Sequence, residues 1–231
     1  LPGFPTSAMF TFHELVAPVL RALAGLPPRT TARVEARVPL RIPSELGRTE
    51  FAMVALSAAP DGLVAHAVGK GSGAVTALAQ ADGFVTIPAL ADHLAADSRA
   101  EVTLFGEGVS APDLTIIGSH CTGLDAVLGS LSDRGIHARI LAAGSQGGLG
   151  ALHRRECDIA PIHLPDPEGG GYNTTYLSKG MRLIPGWRRM QGLLFRPGDP
   201  RFEGRTPEAA LAAVLADDQA IMVNRNQGSG T

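Results

Sequence analysis

Cysteine is scarce in this chain: only Cys121 and Cys157 occur among 231 residues. A chain of this length needs no disulfide staple, so the two thiols read as reduced residues of a cytoplasmic protein. An excess of one charge is missing too. At a net −2, no overall basic field points to nucleic acid. No apolar run is long enough to span a bilayer. The N-terminus lacks the basic and apolar regions of an export signal, so neither membrane nor export is expected. Metal-ligand spacing is absent as well. His153 and Cys157 stand at i and i+4, and His120 adjoins Cys121, but no second ligand pair follows. No metal site is expected, and Cys157, just before an apolar strand, reads as core filler. His13, His66, His93 and His137 have no partner that spacing can name. "GKGSG" (69–73) lacks the spacing of a phosphate-binding loop, and "GSQGGLG" is no dinucleotide fingerprint. No Ser/His/Asp set or carboxylate pair is arranged for catalysis. The opening "LPGFP" has no Met and the chain stops at "NRNQGSGT", so both ends read as cuts through a longer protein.

What is present is ordinary globular material, 45% apolar and 18% charged, enough for a sizeable core. Its texture changes twice. Residues 6–24 place Met9, Phe12, Val16, Val19, Leu20 and Leu23 at helical spacing, with a cap at Thr6 or Ser7 and a kink at Pro18. From about 30 to 107 the period becomes two. In "ARVEARVPLRI" apolar residues alternate with Arg33, Glu35, Arg37 and Arg41, the pattern of a strand with one buried and one wet face. "EFAMVALSA", "GLVAHAV", "GFVTIP" and "AEVTLFG" continue it, which predicts a small all-β barrel or sandwich.

After "GEGVSAPD" strands and helices alternate: "LTIIGSH", "CTGLDAVLGSLSDRG", "ARILAA", "GGLGALHRREC" and "DIAPIHL". That order predicts a parallel α/β sheet. Further strands are expected at "QGLLFRP" and "AIMV", with a helix at "TPEAALAAVLA". The expected domains are therefore a loop and helix at 1–28, a β unit at 29–108 and an α/β unit at 112–231.

Ligands of a parallel sheet bind beyond the carboxyl ends of its strands. "GSH" (118–120), "GSQGG" (144–148) and "NRNQGSGT" (224–231) fall there, each with a hydroxyl beside glycines. Convergent donors of this kind suit a small dianion, although Ser and Gly also cap helices. The candidate ligand-binding residues are Ser119, His120, Ser145, Gln146, Tyr172, Asn173, Arg189, Arg225, Ser229 and Thr231. The arginines are the counter-charges.

Two stretches carry a resemblance. "LPGFPTSAMFTFHELVAPVLRALAG", "GRTEFAMV" and "GSGAVTALAQADGFVTIP" resemble the C-terminal part of the molybdenum insertases (MoeA and the gephyrin E domain). From 112 onward, "GSH", "GSQGGLGAL", "GGYN", "RMQGLL", "RPGDP" and "VNRNQGSGT" resemble the PBP-like, LysR-substrate-type domain fused to some of these proteins. The resemblance implies a MoeA-like β-barrel followed by a type II periplasmic-binding-protein-like α/β domain that continues past Thr231. It implies a homodimeric molybdopterin molybdenumtransferase acting on adenylated molybdopterin with Mg²⁺, and an oxyanion, molybdate or tungstate, on the fused domain. Of the insertase site it maps Pro2, Gly3, Pro5, Ser7 and Ser72 onto this chain, with Phe4 where the family has Asn. The family's metal-binding carboxylates lie upstream, so this chain alone is expected not to insert molybdenum. Two other functions stay open: a regulatory module that senses a small organic ligand around Tyr172 and Trp187, with a degenerate insertase part, and a scaffold that binds nothing.

Overall fold

The computed structural model describes residues 5–69, 75–106, 108–167, 169–188 and 192–223. The chain divides into two compact units, Leu1–Ile162 and His163–Thr231. The helical spacing at the start forms α1 (Pro5–Thr11), a π-helical turn (Phe12–Val16) and α2 (Ala17–Leu23). Pro18 has no N–H and its ring clashes with the carbonyl of the preceding turn. The helix answers one turn early: the Ala17 N–H reaches back to the Phe12 carbonyl, the wide bond of a π-bulge. Phe10 fastens α1 to the strands beyond, stacking on Phe51 and meeting Phe84 edge-on, each at 5.1 Å.

The period-two region forms β1 (Arg33–Arg37), β2 (Ile42–Pro43), β3 (Glu50–Ala59), β4 (Gly62–Ala67), α3 (Val75–Gln80), β5 (Gly83–Ile87), β6 (His93–Leu94) and β7 (Arg99–Leu104). Five of these strands close a barrel in the order β1-β4-β3-β5-β7, while β2 and β6 pair separately. Closure comes from β1 lying antiparallel to β7, from Arg33 opposite Thr103 to Arg37 opposite Arg99. Val38, Val54, Leu56, Val85, Ile87 and Val102 fill the interior.

β1 alternates as its sequence predicts, with Arg33 and Glu35 exposed and Ala36 buried. β3 does not. Every residue from Ala52 to Ser57 is buried. Ala52, Val54 and Leu56 face the barrel core, whereas Met53 and Ala55 belong to a second apolar cluster with Ile117, Leu141 and Ala151. A strand covered on both faces reads as a continuous apolar run, and "AMVAL" is one.

The cover is the first part of the α/β region: β8 (Leu114–Gly118), α4 (Thr122–Ser132), β9 (Ala138–Ala142) and α5 (Gly144–His153). β8 and β9 are parallel, from Leu114 opposite Ala138 to Gly118 opposite Ala142. Their sheet is separate from the barrel, yet both lie in the first compact unit. The third strand expected at 158–164 is reduced to a bridge between Ile116 and Ile159. Ile117 and Ser119 donate to the Ile159 and Pro161 carbonyls, but Pro161 has no N–H to return and the ladder stops.

In the second unit Thr174–Tyr176 make a 3₁₀ turn, and α6 (Pro207–Leu215) starts at Thr206, whose Oγ1 accepts the Ala209 N–H. The strands expected at 191–197 and 220–223 are not formed among the described residues, and Leu194, Ile221 and Val223 are exposed. An apolar run becomes a strand only where a neighbour completes its hydrogen bonds, and none of the described residues does so here.

α5 lies directly against β8 at Gly148, where a Cβ would stand 2.3 Å from the Ile117 carbonyl oxygen. Gly148→Ala is expected to lower stability by about 1–3 kcal/mol through overpacking, outweighing a helix-propensity gain of roughly 1 kcal/mol. The urea midpoint measures this. An unchanged midpoint would mean that the helix lifts from the strand without penalty.

Candidate functional site

The carboxyl ends of β8 and β9 are adjacent because the two strands are parallel and in register. Ser119 and His120 leave one, and the first turn of α5 leaves the other. The Ala143 N–H donates to the Gly118 carbonyl at 3.0 Å, holding the two exits together. Ser119 is half-buried, His120 and Gln146 are exposed, and Ser145 is fully buried. Ser145 is thus an interior residue of the first turn of α5, and the side chain this turn exposes is that of Gln146. The glycines of "GSQGG" also have a packing role: Gly148 is the seat of α5 on β8, and its freedom from a side chain serves the strand.

The two helix starts differ electrically. α4 carries Asp125 in its first turn, and Asp125 Oδ1 lies 2.7 Å from His120 Nε2. Its positive end is already answered. α5 has no acidic residue in its first turn, so its amides still favour an anion.

In the second unit Asn173 adopts a left-handed conformation, φ 72°, which its short side chain tolerates. Its Oδ1 accepts the Leu164 N–H at 2.8 Å, and its N–H donates to the Leu164 carbonyl at 2.9 Å. Asn173 therefore folds its loop, while Tyr172 stays exposed. Arg189, Arg225, Ser229 and Thr231 lie outside the described residues.

The insertase-like residues belong to another place. Ser7 lies with Thr6 and Phe10 of α1 along a cleft of about 990 Å³ that Arg41, Arg48 and Phe51 line from the barrel side. Thr6 is buried, and its hydroxyl has no hydrogen-bond partner. Pro5 opens α1 and is exposed. Pro2, Gly3, Phe4 and Ser72 lie outside the described residues. Among the described residues no group of three or more His, Cys, Asp or Glu could hold a metal ion. His153 Nδ1 lies 2.8 Å from the Leu149 carbonyl oxygen within its own helix. Burial pushes the Cys157 thiol up to about 11, so it stays protonated as a core neighbour.

Sequence reasoning missed a buried charge cluster between the barrel and the α/β layer. Glu156, 0% exposed, follows α5. Its Oε1 accepts from Arg37 of β1 at 3.2 Å and from Arg154 Nε at 2.9 Å, and its Oε2 accepts from Arg154 Nη2 at 2.9 Å. The Ser57 hydroxyl donates to the Glu156 carbonyl at 3.3 Å, and His66 Nε2 lies 2.8 Å from Ser57 Oγ. With its own proton committed, Ser57 accepts from the Nε2–H of a neutral His66. Burial drives the His66 imidazole down to about 4. A second pair joins Arg139 of β9 to Asp82, with Nη2 to Oδ1 at 2.8 Å, and Asp82 Oδ2 accepts the Leu56 N–H at 2.7 Å. Only the apolar run of β3 hinted that something covers this face.

Comparison with known proteins matches the two halves to different families. Residues 35–105 match the MoeA C-terminal region (domain IV), and residues 129–231 match the PBP superfamily domain. The two matched segments follow one another in the chain, the one similar to the MoeA C-terminal region first and the PBP-like one second. Solved structures similar to it include a molybdopterin biosynthesis MoeA protein from Pyrococcus horikosii. It is 39% identical over 46% of this chain and 25% of its own, with a TM-score of 0.38. A MoeA protein from Pyrococcus horikoshii OT3 is 27% identical over 45% of this chain and 26% of its own, TM-score 0.38. A molybdenum cofactor biosynthesis protein from Pyrococcus furiosus is 30% identical over 45% and 36%, TM-score 0.38. The chain thus spans between a quarter and about a third of these proteins. None of the curated proteins matches it. Among the described residues no helix is long and apolar enough to cross a membrane.

Proposed function

We propose that the chain serves molybdenum cofactor biosynthesis, with a molybdopterin molybdenumtransferase-like barrel joined to a type II PBP-like module that binds molybdate or tungstate. The barrel module ends near residue 108 and the PBP-like module begins at residue 112. In the complete enzyme the partners are adenylated molybdopterin and Mg²⁺, acting in a cytoplasmic homodimer. The family matches in this order support the pathway. The first turn of α5 supports the oxyanion. It is free of carboxylates and lies beside the half-buried Ser119 and the exposed Gln146.

A tetrahedral dianion takes the backbone N–H of Gln146, the Ser119 hydroxyl and the Gln146 amide, with His120 at the rim. Each hydrogen bond to a charged group contributes about 1.5–3 kcal/mol. Calorimetric titration of molybdate into the full chain tests the reading. Gln146→Glu puts a carboxylate where the anion binds and is expected to weaken binding about tenfold or more. Ser119→Ala is expected to weaken it less. Circular dichroism checks folding. If the wild type takes up no molybdate, or if folded Gln146→Glu binds it as tightly, the oxyanion reading fails.

A further inference from the structure

The outer face of β3 is covered by the same layer that carries the candidate anion edge, and one helix reaches both. α5 begins at that edge with Gly144. It rests on β8 through Gly148, without a side chain to cushion it. Ala151, a turn further on, joins Met53 and Ala55 of β3 in one apolar cluster. Past its last residue, the Glu156 carboxylate holds Arg37 of β1, and the Glu156 carbonyl holds Ser57 of β3. Each step is a direct contact, and the bond to Ser57 is buried. Arg139, at the other side of the layer, is tied to Asp82 and to the Leu56 carbonyl. A surface that only needed covering would be apolar throughout. This one spends five charged groups, Arg37, Asp82, Arg139, Arg154 and Glu156, on fixing orientation, and buried charge pairs act through geometry.

We infer that the outer face of β3 is the docking surface for the chain's own α/β layer, and that α5 is a strut that couples anion occupancy at its N-terminus to the barrel. The inference rests on the oxyanion reading for its natural ligand, but not for its mechanics. An anion at a helix N-terminus stabilises the helix. A helix seated without slack on β8, and pinned by Glu156 to β1 and β3, passes that stabilisation to both strands. The barrel thereby senses whether the oxyanion is present, and an insertase barrel that senses its metal source is a regulated one.

Hydrogen exchange on the full chain, free and with molybdate, is the test. Molybdate is expected to slow exchange by about fivefold or more in α5 and also at residues 52–57 of β3. In Ser57→Ala, which removes the hydroxyl that ties β3 to the Glu156 carbonyl, binding and the α5 response persist and the β3 response falls. Gln146→Glu supplies the arm without ligand. Its carboxylate imitates a bound anion, so exchange at residues 148–152 and 52–57 slows about twofold or more in ligand-free protein. If molybdate does not bind but Gln146→Glu slows β3, the coupling stands and the oxyanion reading falls. If α5 responds to either perturbation while β3 does not, or if Ser57→Ala keeps the full β3 response, the strut is overturned. An α5 that responds to neither also overturns it.

Discussion

Glu156→Ala is expected to lower the stability of the first compact unit by about 3–5 kcal/mol, the usual result of removing one partner from a buried charge pair. The carboxylate is shut away from water and receives three donors from Arg37 and Arg154. Without it, Arg37 keeps only Asp61 and Asp97 at the edge of the seam, and Arg154 loses its carboxylate outright. Arg33 and Glu101 provide the comparison. That pair is 58% and 62% exposed, and Glu101→Ala is expected to cost less than about 1 kcal/mol. Urea denaturation followed by circular dichroism measures both. If the two variants lose equal stability, water reaches Glu156 and the seam is no tighter than the surface.

The second large effect is acid sensitivity centred on His66. Its folded-state value is about 4, against an ordinary 6.5, with burial the leading cause. Arg154, Arg37 and Arg139 push in the same direction, and Glu156 opposes them. Between these two values the unfolded chain binds a proton that the folded chain does not. Stability is therefore fully present above pH 6.5 and falls as the pH drops towards 4. The slope approaches 1.4 kcal/mol per pH unit, so the whole window is worth about 3 kcal/mol. The depressed carboxylates, Asp61, Asp92, Asp166 and Asp199 below their ordinary 3.8 and Glu208 below its ordinary 4.5, act mainly below pH 4.5. His66→Gln keeps an N–H for Ser57 but has no proton to gain. Its stability is expected to be flat from pH 6.5 to 4.5, where the wild type declines. Equal slopes would remove His66 as the cause.

Much of the architecture was legible because it rests on local rules. Helical spacing located α1 and α2, period two located the barrel strands, and Gly-rich turns bounded α4 and α5. Pro18 announced a break, and the π-bulge is how the backbone made one. The seam was not legible. "HRREC" reads only as the end of a helix, and Glu156 becomes an interior residue because β1 and β3, far away in sequence, pack against it. Ser145 looked like a surface hydroxyl for the same reason: its neighbours in space are not its neighbours in the chain. At 192–197 and 220–223 the error ran the other way. Apolar residues promised strands, but a strand is half of a pair and the sequence of one half does not reveal its partner.

The closure of β1 on β7 has a kinetic consequence. The hairpin of β3 and β4 joins residues as near as Ala59 and Gly62, and it can form as soon as it is made. β1 must wait. One edge can pair with β4, but the antiparallel partner that closes the barrel is Arg99–Leu104, and until that segment appears the other edge of the first strand is unsatisfied. Contacts of long sequence separation form late, because the loop between them must be closed before any bond rewards it. On a ribosome the apolar outer face of β3 is made well before both the strand that seals its barrel and the helix that covers it. The hazardous interval in the life of this chain lies between the synthesis of Met53 and that of Ala151, when a two-faced apolar strand lacks at least one of its covers.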